Sequence, residues 1–175
     1  MLKHTGFKIV KSICENDCEN LIRKILENSR KYNCKITCPV DVVVSKNPDN
    51  KGKDKGINEI DDNDMILDIG PKTISLIQKI VNSSNTVLWN GPAGYFENPH
   101  FQNGTKQILE IISKKTINDK IFSVAGGGET VAAINKFKKL DSFTFVSTAG
   151  GAFLEYLEGK SLPGISALNQ NVWTK

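Results

Sequence analysis

The stretch FSVAGGGETVAA, Phe122 to Ala133, passes from an apolar strand through three consecutive glycines into a helix that opens on Glu129 and Thr130. Glycine carries no Cβ, so the backbone turns tightly there and a ligand can approach its amides. Two further stretches repeat the design: LWNGPAGYFE, Leu88 to Glu97, and FVSTAGGAFLE, Phe145 to Glu155. Apolar strands, glycine-rich turns and helices in alternation predict an α/β fold with a parallel sheet. In such a sheet the carboxyl ends of the strands form the ligand crevice, and all three turns are expected to line it.

Upstream, Asp17 to Tyr32 predicts an amphipathic helix with Leu21, Ile22, Ile25 and Leu26 on one face. Lys35 to Cys38 reads as a short strand and the valine-rich run Asp41 to Ser45 as a second extended piece. The Lys/Asp/Asn/Gly-rich segment Asn47 to Asn58 is expected to be a surface loop. Met65 to Ile69 ends at Gly70-Pro71, and Pro71 fits the first turn of a helix whose apolar face is Ile74, Ile77, Ile80 and Val81. Thr86 to Trp89 is expected to be a buried strand and Phe101 to Lys115 a helix. Beyond them, strands over Lys120 to Ala125 and Ser142 to Val146 alternate with helices over Glu129 to Phe137 and Ala152 to Leu157. No internal repeat or linker divides the chain.

Length and composition fit one globular domain: 175 residues, 39% apolar and 24% charged. The net charge of +4 is mild and its charges are interspersed, whereas a nucleic-acid binder concentrates a basic face. No apolar run approaches the length of a membrane span, and Met1 to Gly6 has no signal-like apolar region, so a cytoplasmic location is expected. Cys14, Cys18, Cys34 and Cys38 form two C-x3-C pairs without histidine support. They read better as small hydrophobes than as zinc ligands.

On the residues alone, the triple glycine is equally a plain strand-to-helix turn and an anion site built from amides at a helix N-terminus. Glu129 in the first helical turn is either an acid favoured by the macrodipole or a carboxylate that shares a Mg²⁺ with phosphate oxygens. Asn90-Gly91-Pro92 is a turn by its chemistry. Beside Glu97, it also offers groups for a phosphate, a base and a ribose hydroxyl. A P-loop is excluded, because G-x-x-x-x-G-K-S/T occurs nowhere. The dinucleotide fingerprint fails at Val131, and Ser147-Thr148 stand where an acidic residue belongs, which disfavours an oxidoreductase. His4 and His100 lack catalytic company. Trp89 reads as a core anchor and Trp173 as a tail packing residue.

Taken in order, LDIGPKTI (Leu67 to Ile74), VLWNGPAGYFE (Val87 to Glu97), AGGGETVAAI (Ala125 to Ile134), STAGGAFLEYLEGK (Ser147 to Lys160) and LPGISAL (Leu162 to Leu168) resemble phosphoglycerate kinases. The resemblance spans Leu2 to Leu168. It implies a partial C-terminal, nucleotide-binding domain over residues 1–175, with 162–175 as a tail that packs toward the N-terminal domain. The implied fold is a three-layer α/β/α Rossmann-like parallel sheet that is incomplete. The first two strands of a sheet ordered 3-2-1-4-5-6 are missing, with Lys35 to Ser45 serving as strand three.

Carried over residue by residue, Glu97 would hold the ribose hydroxyls, Asn90 the nucleotide phosphates, and Gly70 and Pro92 the nucleoside pocket. Glu129 would replace the family's metal-binding Asp and reach Mg²⁺ through ATP or ADP, with Thr130 beside the phosphates. The amides of Gly127, Gly128 and Gly151 would face the transferring phosphoryl group. Phosphoglycerate would bind only through the missing N-terminal domain, for which a separately encoded part is the expected partner. The chain by itself is expected to be inactive, either as one part of a split kinase or as a non-catalytic remnant that binds nucleotide weakly or not at all. Ala149 replaces the first glycine of the family's STGGGA, and would be strained by about 1 kcal/mol or more if its φ had to be positive.

Overall fold

The computed structural model describes residues 11–12 and 18–169. The chain divides into two compact units, residues 1–79 with 93–108 and residues 80–92 with 109–175.

The first unit follows from a run of β-branched residues. Asp41–Ser45 (DVVVS) forms β1, which favours a pleated surface that packs stiff branched side chains. It pairs antiparallel with β2 (Lys53–Gly56) on one side and β3 (Met65–Ile69) on the other. Val42 and Val44 bury with Ile57 and Ile60, and Ile66 packs against them. Helix α1 (Glu19–Lys31) precedes this sheet, and α2 (Pro71–Asn82) begins directly after it. Proline opens α2 as expected, at a position whose N–H would be unpaired in any residue. The Asp41 carboxylate caps this helix from the start of β1, accepting from Lys72 N at 2.8 Å and from Thr73 N and Thr73 Oγ1 at 2.7 Å each.

Several expectations for this unit change. Lys35–Cys38 is not a strand, and the segment Asn47–Asn58 contains β2 rather than loop alone. The Lys35–Ser45 region is not a parallel strand three. A short connection joins β1 to β2, and short connections produce antiparallel pairs, whereas parallel pairing needs a long crossover. The α1 face closes less than its periodicity implied: Ile22 is buried, Leu26 half-buried, and Leu21 and Ile25 exposed. Cys34 is exposed and Cys18 and Cys38 half-buried, so they are not core hydrophobes. Cys14 lies outside the described residues.

The second unit holds the parallel sheet, ordered β4 (Thr86–Asn90), β5 (Phe122–Gly126), β6 (Phe145–Val146). Helix α3 (Asn103–Asp119) enters this unit at Leu109 and connects β4 to β5 as a crossover. Helices α4 (Gly128–Lys136), α5 (Gly151–Leu157) and α6 (Pro163–Asn169) follow. One face of the sheet is closed. Trp89, Ser123 and Ala125 are buried, the Trp89 ring stacks on Phe143 with centroids 6.0 Å apart, and Ser123 Oγ pairs with Thr116 Oγ1 at 2.9 Å.

The other face is open except at Gly126, where the Phe153 side chain lies. Thr86, Leu88 and Asn90 register with Phe122, Val124 and Gly126, and Val124 with Phe145. On that face Leu88 is 49% exposed, Phe122 53% and Phe145 56%. Thr86–Asn90 is therefore a strand as expected but only Trp89 in it is buried. Away from β5, β4 has no strand partner among the described residues. Leu140–Ser142 is a single 3₁₀ turn, which leaves β6 only two residues long. In α6, Ile165 and Leu168 face solvent. Among the described residues, no helix is long and apolar enough to cross a membrane.

Candidate functional site

In the second unit the carboxyl ends of the three parallel strands carry the three glycine-rich turns. Asn90 ends β4, Gly126 ends β5, and Ser147 follows β6, its N–H donating to Ala125 O at 2.8 Å. Gly127 is the N-cap of α4 with φ +92°, a conformation that L side chains rarely adopt. The Asn90 side-chain oxygen also fills the space a Cβ on Gly127 would need. Across the same turn, Gly91 N donates to Thr130 Oγ1 at 2.7 Å, and Thr130 is fully buried. The β4 and β5 turns are thus knotted by Asn90 over Gly127 and by Thr130 under Gly91.

Beyond the knot the surface is open. A Cβ on Gly128 or Gly151 would meet nothing within 4 Å, so both backbones are approachable. Gly128 opens α4, Gly151 opens α5, and Glu129 is exposed in the first turn of α4. Pro92 is half-buried one residue past Gly91. Gly126 has a different duty: the Phe153 ring of α5 occupies its Cβ space, which lets α5 close on β5. In the third turn the positive φ falls on Gly150, at +57°, and Ala149 is not among the positive-φ residues. The departure at Ala149 therefore carries no backbone strain.

Gly70 and Glu97 belong to the first unit. Gly70 is buried, and a Cβ there would land on the Asp41 carboxylate. Glu97 is exposed between β4 and α3. The segment carrying it is tied down by Tyr95 N to Leu67 O at 2.8 Å and by Ala93 N to Thr105 Oγ1 at 3.0 Å. His100 is exposed with its ring edge against Phe101, and Trp173 lies outside the described residues.

Two carboxylates escaped the sequence reading: Asp41, which caps α2, and Asp68, 2% exposed at the end of β3. The available signal was an acid inside an apolar strand, next to Gly70-Pro71 for Asp68. Burial works to raise the Asp41 carboxyl, but bonds from Thr73 and Lys72 and the Lys72 charge prevail and hold it below the usual range. Burial pushes Asp68 up to about 6 against the N–H bonds of Gly104 and Ile69, and the Asp54 charge adds to the rise.

For metal binding, the described residues contain no cluster of three or more His, Cys, Asp or Glu side chains able to hold an ion. Glu129 is a lone exposed carboxylate beside open amides. That donor set suits Mg²⁺ brought in by phosphate oxygens and does not suit a protein-only cage.

The family model described as phosphoglycerate kinase matches residues 1–160. The phosphoglycerate kinase of Xanthobacter autotrophicus is 43% identical over 167 residues, covering 94% of this chain and 42% of its own length. That of Wolbachia pipientis is 43% identical over 173 residues, with 98% and 44% covered. Among solved structures, phosphoglycerate kinase from Coxiella burnetii superposes with a TM-score of 0.87 at 40% identity, covering 94% of this chain and 42% of that one. The Pyrococcus horikoshii enzyme gives 0.71 at 27% identity over 95% and 42%. The chain spans about two fifths of the length of these relatives. It belongs to the phosphoglycerate kinase family.

Proposed function

We propose that this chain supplies the Mg-nucleotide site of a phosphoglycerate kinase, the glycolytic enzyme that transfers a phosphoryl group between 1,3-bisphosphoglycerate and ADP to give 3-phosphoglycerate and ATP. The observation that carries the reading is the knot of Asn90, Gly127 and Thr130 beside the open backbones of Gly128 and Gly151. Phosphoryl transfer needs positioned donors and charge stabilisation more than covalent chemistry. In this reading Asn90 and Thr130 position the nucleotide phosphates. The amides of Gly127, Gly128 and Gly151 donate to the transferring group, Gly70 and Pro92 line the nucleoside pocket, and Glu97 accepts from the ribose hydroxyls. Mg²⁺, when bound with ATP or ADP, neutralises phosphate charge, and Glu129 is the carboxylate placed to hold it.

The phosphoglycerate side of the reaction has no counterpart in these residues, so the chain alone is inactive in this proposal. Its partner is the remaining portion of the kinase, and the chemistry belongs to the cytoplasm. The β4 edge, unpaired among the described residues, and the apolar face of Leu88, Phe122 and Phe145 support such a complement, since an exposed apolar sheet surface of this kind marks an interaction site.

Calorimetric titration of Mg-ADP into the purified chain, alone and with a separately expressed N-terminal part, tests the proposal. Binding that tightens on addition of that part, together with turnover, is expected. Absence of binding and turnover in both conditions would show that the motifs persist without their chemistry.

A further inference from the structure

Asp68 combines three features that an ordinary strand residue does not. Its carboxylate is 2% exposed, it is flanked by two glycines that have no room for a side chain, and both of its oxygens are engaged. Oδ2 accepts from Gly104 N at 2.7 Å, at the start of α3, and Oδ1 accepts from Ile69 N at 2.8 Å. A Cβ on Gly104 would strike Asp68 Oδ1, and a Cβ on Gly94 would strike the same oxygen and approach Phe101 O. Gly94 and Gly104 therefore both press their backbones against the Oδ1 side of one carboxylate. Between them runs the segment that carries Glu97.

All of these residues belong to the first unit, so their mutual geometry is fixed within it. Neutral ties also hold the segment, among them Tyr95 N to Leu67 O, Phe101 N to Asn98 O, and Asn98 Nδ2 to Pro48 O at 2.8 Å. The carboxylate makes the charge-assisted contact in this set, and such bonds are about twice as strong as neutral ones. It also lies where the α3 dipole favours a negative charge.

We propose that Asp68 is a positioning residue for nucleotide recognition, clamping the Gly94–Gly104 segment so that Glu97 is presented to the ribose hydroxyls. The clamp rests on the assignment of Glu97 to the nucleotide site. Asparagine at this position keeps the shape but turns an N–H₂ group toward one of the two N–H donors. Asp68→Asn thus releases either Gly104 or Ile69 without opening a cavity.

The test uses the full chain and two readouts. Amide hydrogen exchange compares wild type with Asp68→Asn over residues 93–105, with the β4–β5 amides as internal reference. Protection of Tyr95, Phe101 and Gly104 is expected to fall while the reference is unchanged. Unchanged protection in the segment would overturn the clamp whether or not nucleotide binds. In parallel, Mg-ADP and Mg-2′,3′-dideoxy-ADP are titrated into wild type, Asp68→Asn, Glu97→Gln and the double variant. Asp68→Asn is expected to weaken ADP about tenfold, the loss of about one hydrogen bond to a charged group. It should leave the dideoxy analogue unaffected and add nothing in the Glu97→Gln background.

A general structural defect would instead weaken both ligands and add to Glu97→Gln, which overturns the positioning role. If wild type binds ADP and its dideoxy analogue equally and Glu97→Gln has no effect, the ribose assignment fails, and the positioning role with it. Hydrogen exchange then still decides whether Asp68 holds the segment.

Discussion

Asp68 and Asp41 are buried acids of the same unit whose protons respond to folding in opposite directions. Burial raises Asp68 to about 6 from an ordinary 3.8, with Asp54 nearby adding to the rise. A raised carboxyl makes the folded state bind its proton more tightly than the unfolded chain does. Its contribution to stability is therefore present below about pH 4 and lost as pH rises through about 6. Urea unfolding at about pH 5 and about pH 7.5 should show a loss of about 1.4 kcal/mol on going to the higher pH. Asp68→Asn should remove that portion of the pH dependence, and an identical slope in the variant would sink the assignment. Asp41 is depressed, so its contribution is present at neutral pH and disappears as pH falls below its ordinary value.

At the scale of elements, the strand-to-helix turns are held by few atoms. Thr130 Oγ1 is a buried acceptor for Gly91 N, so Thr130→Val leaves that N–H facing a methyl group. The expected cost is about 1–3 kcal/mol in thermal or urea unfolding, and Thr130→Ser should recover most of it. Gly127 and Gly128 stand side by side but differ in kind. Gly127→Ala forces a Cβ into positive φ and onto the Asn90 side chain, for a loss of about 1–2 kcal/mol. Gly128→Ala meets open space at ordinary φ and should change stability by less than about 0.5 kcal/mol. A weakened affinity for Mg-ADP in Gly128→Ala at unchanged stability would locate the nucleotide over that backbone. Equal destabilisation by the two variants would contradict the geometry.

Across the whole molecule, the outstanding feature is the exposed apolar face of the parallel sheet. Leu88, Phe122 and Phe145 lie exposed on one face, and β4 has a free edge among the described residues. The chain spans about two fifths of the length of the relatives it matches. Leu88→Lys should reduce self-association of the chain in light scattering. It should also weaken its capture of a separately expressed N-terminal part by about tenfold or more, since burying one leucine contributes about 1.5–3 kcal/mol. Undiminished capture would place the complementing contact elsewhere.

The sequence by itself determined the class of fold and the positions of the glycine turns. Strand, glycine turn and helix recur in local order, and local order needs no knowledge of long-range pairing. Thus Met65–Ile69, Pro71 at the head of α2, and the β5–Gly127–α4 junction were all legible. Pairing was not. Nothing local in DVVVS says that its neighbours run antiparallel, and the strand β2 hides among lysines and aspartates because one exposed edge of a hairpin needs no apolar residues. Burial also had to come from tertiary structure. Leu88, Phe122 and Phe145 have core composition yet stay exposed, while Asp41 and Asp68 have surface composition yet lie inside. Which acid is buried depends on the backbone N–H groups that converge on it from Lys72, Thr73 and Gly104, residues 31 to 36 positions away. Only the folded chain brings those donors to the carboxylates that require them.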